Sequence, residues 1–139
     1  MERTETEFAA ELLRLTGRCR GIDKRVSASV GLSIDEVHCL GVLFSEKPSS
    51  VKMLGELINV SPTRTSKILR DLEERGFLSR TLDVSDHRKE HVMLTEEGKR
   101  AVEKLLSLYS DIGSKVLASG PSEFASGVSR LLQDFSHSD

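Results

Sequence analysis

The most restrictive feature of this chain is a helix start marked by Ser61 and Pro62. Serine is a preferred N-cap because its hydroxyl accepts a hydrogen bond from a free backbone N–H, and proline fits the first helical position. Asn59 lies just before this start and tolerates the left-handed conformation of a tight turn. A short amphipathic segment, 51–58, precedes the turn. The sequence therefore predicts two helices joined by a tight turn.

A β-hairpin is predicted behind the second of these helices. Gly76 suits the position just after a helix end, so we expect this helix to run from 62 to about 75. Residues 77–82 and 90–94 are strand candidates on either side of a charged tip. This arrangement is a winged helix-turn-helix, which usually places its second helix in the DNA major groove. The inner positions of that helix are expected to be Thr65, Ile68, Leu69 and Leu72.

Two further helices are predicted before this unit. Residues 5–30 carry one apolar stripe, which needs cover from the chain's own core or from a second subunit. A capping box at Ser33 and Glu36 then predicts the start of another helix. The stripe consists of Phe8, Leu12, Leu15, Cys19, Ile22 and Val26. The inner face of the next helix is expected to be Val37, Leu40, Gly41 and Phe44.

Two more helices are predicted after the hairpin. Thr95 is suited to cap a helix that runs to about residue 117, and a last helix is expected over 122–135. The predicted fold class is therefore mainly α with an α+β wing: a winged helix-turn-helix flanked by N- and C-terminal dimerisation helices. The three amphipathic helices at the ends of the chain, over 5–30, 95–117 and 122–135, have more apolar surface than a small domain covers, which predicts a dimer through the terminal helices.

The length of the chain suits one domain, 1–139. Within it, 33–98 are expected to form the DNA-binding part, and 1–32 and 99–139 the dimerisation helices. With 37% hydrophobic and 30% charged residues, the composition is neither that of a disordered chain nor that of a membrane protein. The charged N-terminus lacks the apolar region of a signal peptide, so we expect a cytoplasmic protein with no membrane partner.

The second helix of the turn unit is predicted to be basic. Residues 61–70 contain bases and no acid, although the net charge of the whole chain is −2. The spacing puts Arg64, Lys67 and Arg70 along one side of the helix. Bases near a helix N-terminus add to its positive dipole end, and a DNA phosphate or base edge would offset that cost. An ordinary solvated face is the alternative interpretation.

The hairpin tip is the second candidate DNA contact, and its sequence is Asp86-His87-Arg88-Lys89. An arginine on such a tip can enter a narrow minor groove, where the negative potential is enhanced. Asp86 is expected to hold the Arg88 guanidinium by a bidentate pair. A polar turn that serves only solubility is the alternative.

The sequence contains no pattern typical of catalysis or metal binding. Its four histidines are scattered, whereas zinc needs three or four convergent ligands. There is no nucleophile–base motif, glycine-rich phosphate loop or HExxH. We therefore expect no metal, no cofactor and no enzymatic activity. Cys19 and Cys39 are expected to be reduced, half-buried thiols, with redox sensing at Cys19 as the less favoured alternative.

Five segments of the chain follow the order and spacing of a known family. They are Val51-Lys52-Met53-Leu54-Gly55-Glu56, Val60-Ser61, Leu72-Glu73-Glu74-Arg75-Gly76-Phe77-Leu78-Ser79-Arg80, Asp86-His87-Arg88 and Leu94-Thr95-Glu96-Glu97-Gly98. On these residues the chain resembles the MarR family of winged-helix regulators, from residue 32 to about 104. Gly55 stands where the family usually has alanine and Thr65 where it has an apolar residue, which suggests a looser helix-turn-helix core. Met53 stands where a polar residue is preferred.

The resemblance implies a function and a set of contact residues. It implies a homodimer that binds a pseudo-palindromic operator in double-stranded DNA, usually as a repressor. It also implies a small, often phenolic or lipophilic, effector between the dimerisation helices and the wing domain. By position, Arg88 resembles the family's minor-groove arginine and Asp86 the acid that holds it. The expected DNA-binding residues are Ser61, Thr63, Arg64, Ser66, Lys67, Arg70, Asp86, Arg88 and Lys89.

The residues and the resemblance together predict a sequence-specific DNA-binding transcriptional regulator. The alternative is a winged-helix protein-interaction module, whose basic helix docks onto an acidic protein surface without specific DNA binding. The salt dependence of binding and competition by duplex DNA distinguish these two functions. An enzyme is a distant third alternative.

Overall fold

The computed structural model describes residues 4–48 and 50–119, together with residues 126, 127 and 130. These residues form α1 (Glu5–Val30), α2 (Ile34–Ser45), α3 (Val51–Leu57), α4 (Pro62–Glu74), β1 (Leu78–Leu82), β2 (Glu90–Leu94) and α5 (Glu96–Ser119). The predicted winged helix-turn-helix is confirmed, with α3 and α4 as its two helices and the β1–β2 hairpin as its wing. The helix predicted over 122–135 lies outside the described residues apart from 126, 127 and 130, so it stays a prediction.

Capping side chains determine where the two central helices begin. The Ser33 hydroxyl accepts a hydrogen bond from the Glu36 backbone N–H at 3.1 Å, and the Glu36 carboxylate accepts one from the Ser33 N–H at 2.9 Å. At the start of α4, the Ser61 hydroxyl accepts from the Arg64 N–H at 3.3 Å, and Pro62 occupies the first helical turn. Both helix starts are those expected from the sequence.

Two residues with positive φ follow the ends of the two helices of the helix-turn-helix. Asn59, between α3 and α4, has a φ of 56°, and Gly76, after α4, has a φ of 81°. The Gly76 N–H donates to the Glu73 carbonyl at 3.0 Å, and the Phe77 N–H donates to the Leu72 carbonyl at 3.0 Å. This pair of bonds is a Schellman motif, which satisfies the last carbonyls of α4 and directs the chain into the wing.

The wing is a two-stranded antiparallel hairpin in which Leu78 lies opposite Leu94 and Leu82 opposite Glu90. Near its tip, the Arg80 guanidinium donates to the Glu90 carboxylate at 2.8 and 3.0 Å. This pair crosses the two strands and lies partly buried. It therefore supports the part of the hairpin farthest from the core.

The junction between the wing and α5 is tightly packed around Thr95. Its hydroxyl donates to the Gly76 carbonyl at 2.6 Å and accepts from the Gly98 N–H at 3.0 Å. A side chain at Gly98 would place its Cβ 1.9 Å from the Phe77 carbonyl oxygen. Glycine is therefore required for the start of α5 to lie this close to the wing.

The core forms around α2, which contacts α1, α3, α4, α5 and β2. All four predicted inner positions of α4 are buried. The predicted inner face of α2 is partly wrong, because Phe44 is exposed and Gly41 only half-buried, whereas Cys39 and Leu43 are buried. Since α2 is packed from several sides, its partners decide its buried face. The core comprises Val26, Leu32, Val37, Cys39, Leu40, Leu43, Leu54, Ile68, Leu69, Leu72, Leu78, Val102 and Leu105.

The apolar stripe of α1 is covered only at its C-terminal end within the described residues. Val26 is buried and Ile22 half-buried, whereas Phe8 is 54% exposed. Leu12 and Leu15 are also exposed. The first turns of α1 therefore present apolar side chains that residues 4–48 and 50–119 do not cover.

No single helix among the described residues has the length and apolarity needed to cross a membrane. The helix pair Glu5–Val30 and Ile34–Ser45 meets the requirement only when taken together, and the two helices are bent by 91° at the break between them.

Candidate nucleic-acid interface

The helix α4 separates a buried apolar face from an exposed polar face. The buried face anchors α4 to the core, and this fixes which residues face outward. Of the residues predicted to contact DNA, Ser61, Thr63, Arg64, Lys67 and Arg70 are exposed, and Ser66 is half-buried. The structure therefore brings these six residues together at the N-terminal end and along the outer side of α4.

The charge of α4 is divided along its length. The first turn contains no acid, and the acids Asp71, Glu73 and Glu74 all follow Arg70. The positive end of the helix dipole therefore coincides with the basic half of the helix. An anion such as a phosphate is favoured at this end.

Arg64 contacts an acid on another helix. Its Nε donates to Asp35 Oδ2 at 2.6 Å, and its Nη2 lies 2.6 Å from the same oxygen. Asp35 lies in the first turn of α2, where the helix dipole favours a negative charge. The Arg64 side chain nevertheless remains 60% exposed. Asp35 is not among the predicted site residues, because nothing in the sequence indicates a contact between two helix starts 29 positions apart.

Asp83 organises the tip of the wing. Its Oδ1 accepts hydrogen bonds from the Ser85 N–H at 2.8 Å, the Ser85 hydroxyl at 2.6 Å and the Asp86 N–H at 3.1 Å. Its Oδ2 lies 2.8 Å from His91 Nε2 on β2. The hydrogen bonds from Ser85 and His91 hold the pKa of the Asp83 carboxyl well below its usual range. Sequence reasoning missed this role, although an Asp followed two residues later by Ser is an Asx-turn signal.

The expected bidentate pair between Asp86 and Arg88 is not present. Asp86 Oδ1 accepts a hydrogen bond from the Arg88 backbone N–H at 3.0 Å, and the Arg88 Nε lies 3.6 Å from the same oxygen. The Arg88 side chain is 96% exposed. Asp86 therefore orders the backbone at Arg88, and it restrains the guanidinium only weakly because the short spacing favours the backbone contact. Lys89 is exposed beside it.

Gly55 and Thr65 form a matched pair in the helix-turn-helix core. Thr65 is fully buried, and its hydroxyl donates to the Ser61 carbonyl at 2.8 Å. A Cβ at Gly55 would lie 2.6 Å from Thr65 Oγ1 and 3.2 Å from the Val60 carbonyl oxygen. The expectation of a looser core is therefore wrong, because the threonine hydroxyl fills the space that an alanine at residue 55 would occupy. Met53, the third departure, is exposed on α3.

A polar junction connects three helices away from α4 and the wing. The Tyr109 hydroxyl on α5 donates to Asp23 Oδ1 at 2.5 Å, and His38 Nε2 on α2 lies 2.9 Å from Asp23 Oδ2. Burial and the contact with Asp23 raise the pKa of the Tyr109 hydroxyl. These contacts join α1, α2 and α5, and they account for His38 without a bound ligand.

The two cysteines occupy different environments. Cys39 is fully buried, whereas Cys19 is exposed, so the expectation of two half-buried thiols is wrong for both. The reason is that Cys39 faces the core from α2, and the turn of α1 that carries Cys19 lacks cover. Burial and the negative charge of Glu36 raise the pKa of Cys39 to about 12. Among the described residues, no group of three or more His, Cys, Asp or Glu could hold a metal ion.

A small open cavity lies between α1 and α5. It has a volume of about 200 Å³. Its lining is mostly apolar, with Arg25 as the charged exception. The lining residues are Ile22, Arg25, Val26, Ser29 and Leu108.

The exposed basic helix and the hairpin behind it lie in a segment with recognisable relatives. Residues 32–89 match the sequence model described as the MarR family. Over this segment, which is less than half of the chain, the sequence is similar to the MarR family. The chain is also similar to YdgJ of Bacillus subtilis (strain 168), an uncharacterized HTH-type transcriptional regulator, with 28% identity over 98 residues. The alignment covers 70% of this chain and 60% of YdgJ, so the chain spans less than two thirds of that relative.

Solved structures share the fold of this chain. CouR from Rhodococcus jostii RHA1, solved bound to p-coumaroyl-CoA, has a TM-score of 0.79 at 20% identity over 100% of this chain and 98% of CouR. A MepR mutant from S. aureus, solved bound to an oligodeoxyribonucleotide, has a TM-score of 0.63 at 17% identity over 96% of both chains. At these identities the likeness shows the fold alone.

Proposed function

We propose that this protein is a sequence-specific DNA-binding transcriptional regulator without enzymatic activity. The observation that carries this proposal is the outer face of α4, where Arg64, Lys67 and Arg70 are exposed and no acid of the helix precedes Asp71. On the second helix of a winged helix-turn-helix, such a face matches the charge and width of the major groove. The oligodeoxyribonucleotide bound to the MepR mutant supports this function by analogy of fold. We also propose a cytoplasmic location, which the proposed DNA partner supports.

The proposed contacts divide between the helix and the wing. Those assigned to the major groove are Ser61, Thr63, Arg64, Ser66, Lys67 and Arg70. Arg88 and Lys89 are assigned to the minor groove and its phosphates. Asp86 is the acid that orders the backbone at Arg88. Most of these side chains are exposed, and only Ser66 and Asp86 among them are half-buried, which supports contact with a ligand without rearrangement of the core.

The proposed active form is a homodimer on a pseudo-palindromic operator, and its proposed effect is repression. The uncovered apolar turns of α1, which carry Phe8, Leu12 and Leu15, support a partner at this surface. In this proposal residues 33–98 bind DNA, and residues 1–32 and 99–139 form the dimer. A two-fold dimer would present two copies of α4 to half-sites in successive major grooves, about 34 Å apart.

The proposed effector is a small phenolic or lipophilic molecule. The open cavity between α1 and α5 supports this, because its lining is mostly apolar and Arg25 offers a charge for a carboxylate. A ligand that favours another separation of the two copies of α4 would release the operator. Titration of salicylate-like compounds into the operator complex tests this, and a broad panel without effect would favour a ligand-independent regulator.

The main experiment selects bound duplexes from random-sequence DNA with the full-length protein. We expect two related half-sites with centres about 10 base pairs apart, and binding that weakens steeply as salt rises. Lys67→Gln should weaken binding to the selected duplex, whereas Lys99→Gln, which removes an equal charge from α5, should change it little. Selection of no sequence, together with capture of acidic proteins that duplex DNA does not displace, would instead support a protein-interaction module.

A further inference from the structure

The contact between Arg64 and Asp35 uses one particular edge of the arginine. A guanidinium has five N–H donors, two of which, on Nε and Nη2, form its side edge. Both atoms of that edge lie 2.6 Å from Asp35 Oδ2. The other edge, formed by Nη1 and the second N–H of Nη2, points away from the acid. The Asp35 carboxylate therefore contacts the side edge of the guanidinium. The two parallel N–H donors of the end edge remain available to another acceptor.

The position of Asp35 restrains the direction of the Arg64 guanidinium. Asp35 lies in the first turn of α2, where the helix dipole favours its charge, and its side chain is only 30% exposed. α2 packs on five other elements, so the carboxylate is attached to the helix around which the core forms. Arg64 lies in the first turn of α4, directly after the cap formed by Ser61 and Pro62. Two fixed helix starts therefore determine where the guanidinium points.

Pairing with Asp35 also changes what Arg64 can contribute to DNA binding. A phosphate that approaches Arg64 also meets the negative charge of Asp35, so the attraction of this arginine to phosphates, which is independent of sequence, is reduced. Its two end donors remain available, and their geometry matches the two acceptors O6 and N7 that guanine presents in the major groove. The same two donors could also pair with a phosphate, but the negative charge of Asp35 opposes an anion beside Arg64 and does not oppose the uncharged edge of a guanine.

We propose that Asp35 is a specificity-determining positioning residue, which acts through Arg64 to make each half-site depend on one G·C pair. This inference rests on the proposed function, because it concerns the same face of α4. Asp35 itself contacts no base. Its charge lowers the affinity of the protein for DNA of any sequence, and its contact with Arg64 raises the preference for one base pair.

The test compares the parent protein with Asp35→Asn and Glu74→Gln in parallel selections from random-sequence duplexes. Asparagine keeps the size of Asp35 and removes its charge. Glu74→Gln removes an equal charge from the exposed side of α4 at a position that does not contact Arg64. Dissociation constants are then measured for the selected duplex, for duplexes with the G·C pair replaced, and for random duplex, over a range of salt concentrations.

We expect Asp35→Asn to bind random duplex more tightly than the parent does. Its affinity should also fall more steeply with salt, by the amount that corresponds to about one additional phosphate contact per protomer. Its preference for the G·C pair should fall by roughly tenfold or more, the discrimination of one bidentate contact. Glu74→Gln should keep the preference of the parent. A merely structural role for Asp35 would lower binding to all duplexes equally.

Two further variants keep the proposal testable if Asp35→Asn folds poorly. Arg64→Lys retains the charge but lacks the fork of parallel donors, so it should lose the same base preference and keep its affinity for random duplex. In the Arg64→Ala background, Asp35→Asn should no longer change the preference, because Asp35 acts only through Arg64.

The outcomes separate this inference from the proposed function. If the parent selects an operator but Asp35→Asn or Arg64→Lys keeps its full base preference, the role of Asp35 is wrong and the regulator function stands. The same holds if the half-site contains no G·C pair that depends on Arg64. If the parent selects no sequence at all, the proposed function fails and the role of Asp35 fails with it.

Discussion

Acidic side chains fix the direction of neighbouring groups at the start of α4 and at the wing tip. Asp35 holds Arg64 at the start of α4, and Asp83 closes the wing tip with hydrogen bonds from Ser85 and the Asp86 backbone. In both places a carboxylate acts on the direction of a neighbour. The negative net charge of the chain is therefore compatible with the proposed DNA-binding face, since an acid such as Asp35 orients a basic side chain.

The exposed Arg88 leads to a prediction about the wing. Arg88→Ala should weaken operator binding by about tenfold on duplexes with A·T-rich flanks, because a narrow minor groove attracts arginine, and less on G·C-rich flanks. Asp86→Ala should act in the same direction but more weakly, since the guanidinium keeps its charge. Affinities at fixed salt for the two kinds of flank measure both effects. Equal binding of Arg88→Ala and the parent to both duplexes would make the wing a solubilising turn.

The buried Cys39 leads to a prediction about thiol chemistry. In a Cys19→Ser background, Cys39 should not react with a disulfide reagent at pH 8, because its pKa of about 12 keeps the thiol protonated and the core excludes the reagent. The raised pKa contributes stability below the usual pKa of a thiol, and this contribution is lost as the pH rises from about 9 towards 12. The reaction rate is measured in buffer and in denaturant. Fast reaction in buffer would contradict the burial of Cys39.

At the scale of elements, the helix-turn-helix is held by close approaches as well as by apolar burial. The hydroxyl of Thr65 fills the space beside Gly55, and Gly98 allows α5 to start against the Phe77 carbonyl. Both glycines occur where one backbone lies against another element. Their positions therefore determine how closely α3 approaches α4 and how closely α5 approaches the wing.

Gly55→Ala should destabilise the protein by about 1–3 kcal/mol, because the added Cβ meets Thr65 Oγ1 at 2.6 Å. Combining it with Thr65→Ala should recover part of this loss, with a coupling of roughly 0.5–3 kcal/mol relative to the sum of the single changes. Gly41→Ala on α2, where no atom lies within 4 Å of the added Cβ, is the control. Free energies of unfolding in denaturant measure the cycle, and strictly additive values would show that the two residues are not coupled.

At the scale of the whole molecule, the described chain covers one part of its apolar surface and leaves another open. The C-terminal end of α1 packs into the core through Val26, whereas Phe8, Leu12 and Leu15 are exposed. The same helix therefore belongs to the core at one end and to the proposed dimer surface at the other. Obligate interfaces of this kind bury on the order of 2,000 Å² or more.

Leu12→Glu should convert the proposed dimer into a monomer or an unfolded chain, because an acid in an apolar interface has no partner. Operator affinity should fall by about a hundredfold or more, because a monomer binds through one copy of α4 and lacks the avidity of the two copies in a dimer. Val84→Glu, an equivalent change at a wing residue that is also exposed, should leave the oligomeric state unchanged. Sedimentation measures the mass of each variant. A Leu12→Glu protein with the mass and DNA affinity of the parent would contradict dimerisation through α1.

The sequence by itself determined the local structure of this protein. The cap at Ser61, the positive φ at Asn59 and Gly76, and the inner positions of α4 are local consequences of residue type and spacing, and the structure agrees with each. They need no distant partner, because a hydroxyl, a glycine or an apolar period acts within one turn of chain. The exposed basic face of α4 follows from the same periodicity.

Only the tertiary structure decided which side chains meet across elements. Asp35 reaches Arg64 from a position 29 residues away, and neither residue carries a signal for the other. The matching of Gly55 to Thr65 and the burial of Cys39 likewise depend on how helices pack, because several packings share one pattern of apolar positions. Caps and turns are local, whereas the orientation of a guanidinium is set by whichever helix start lies beside it.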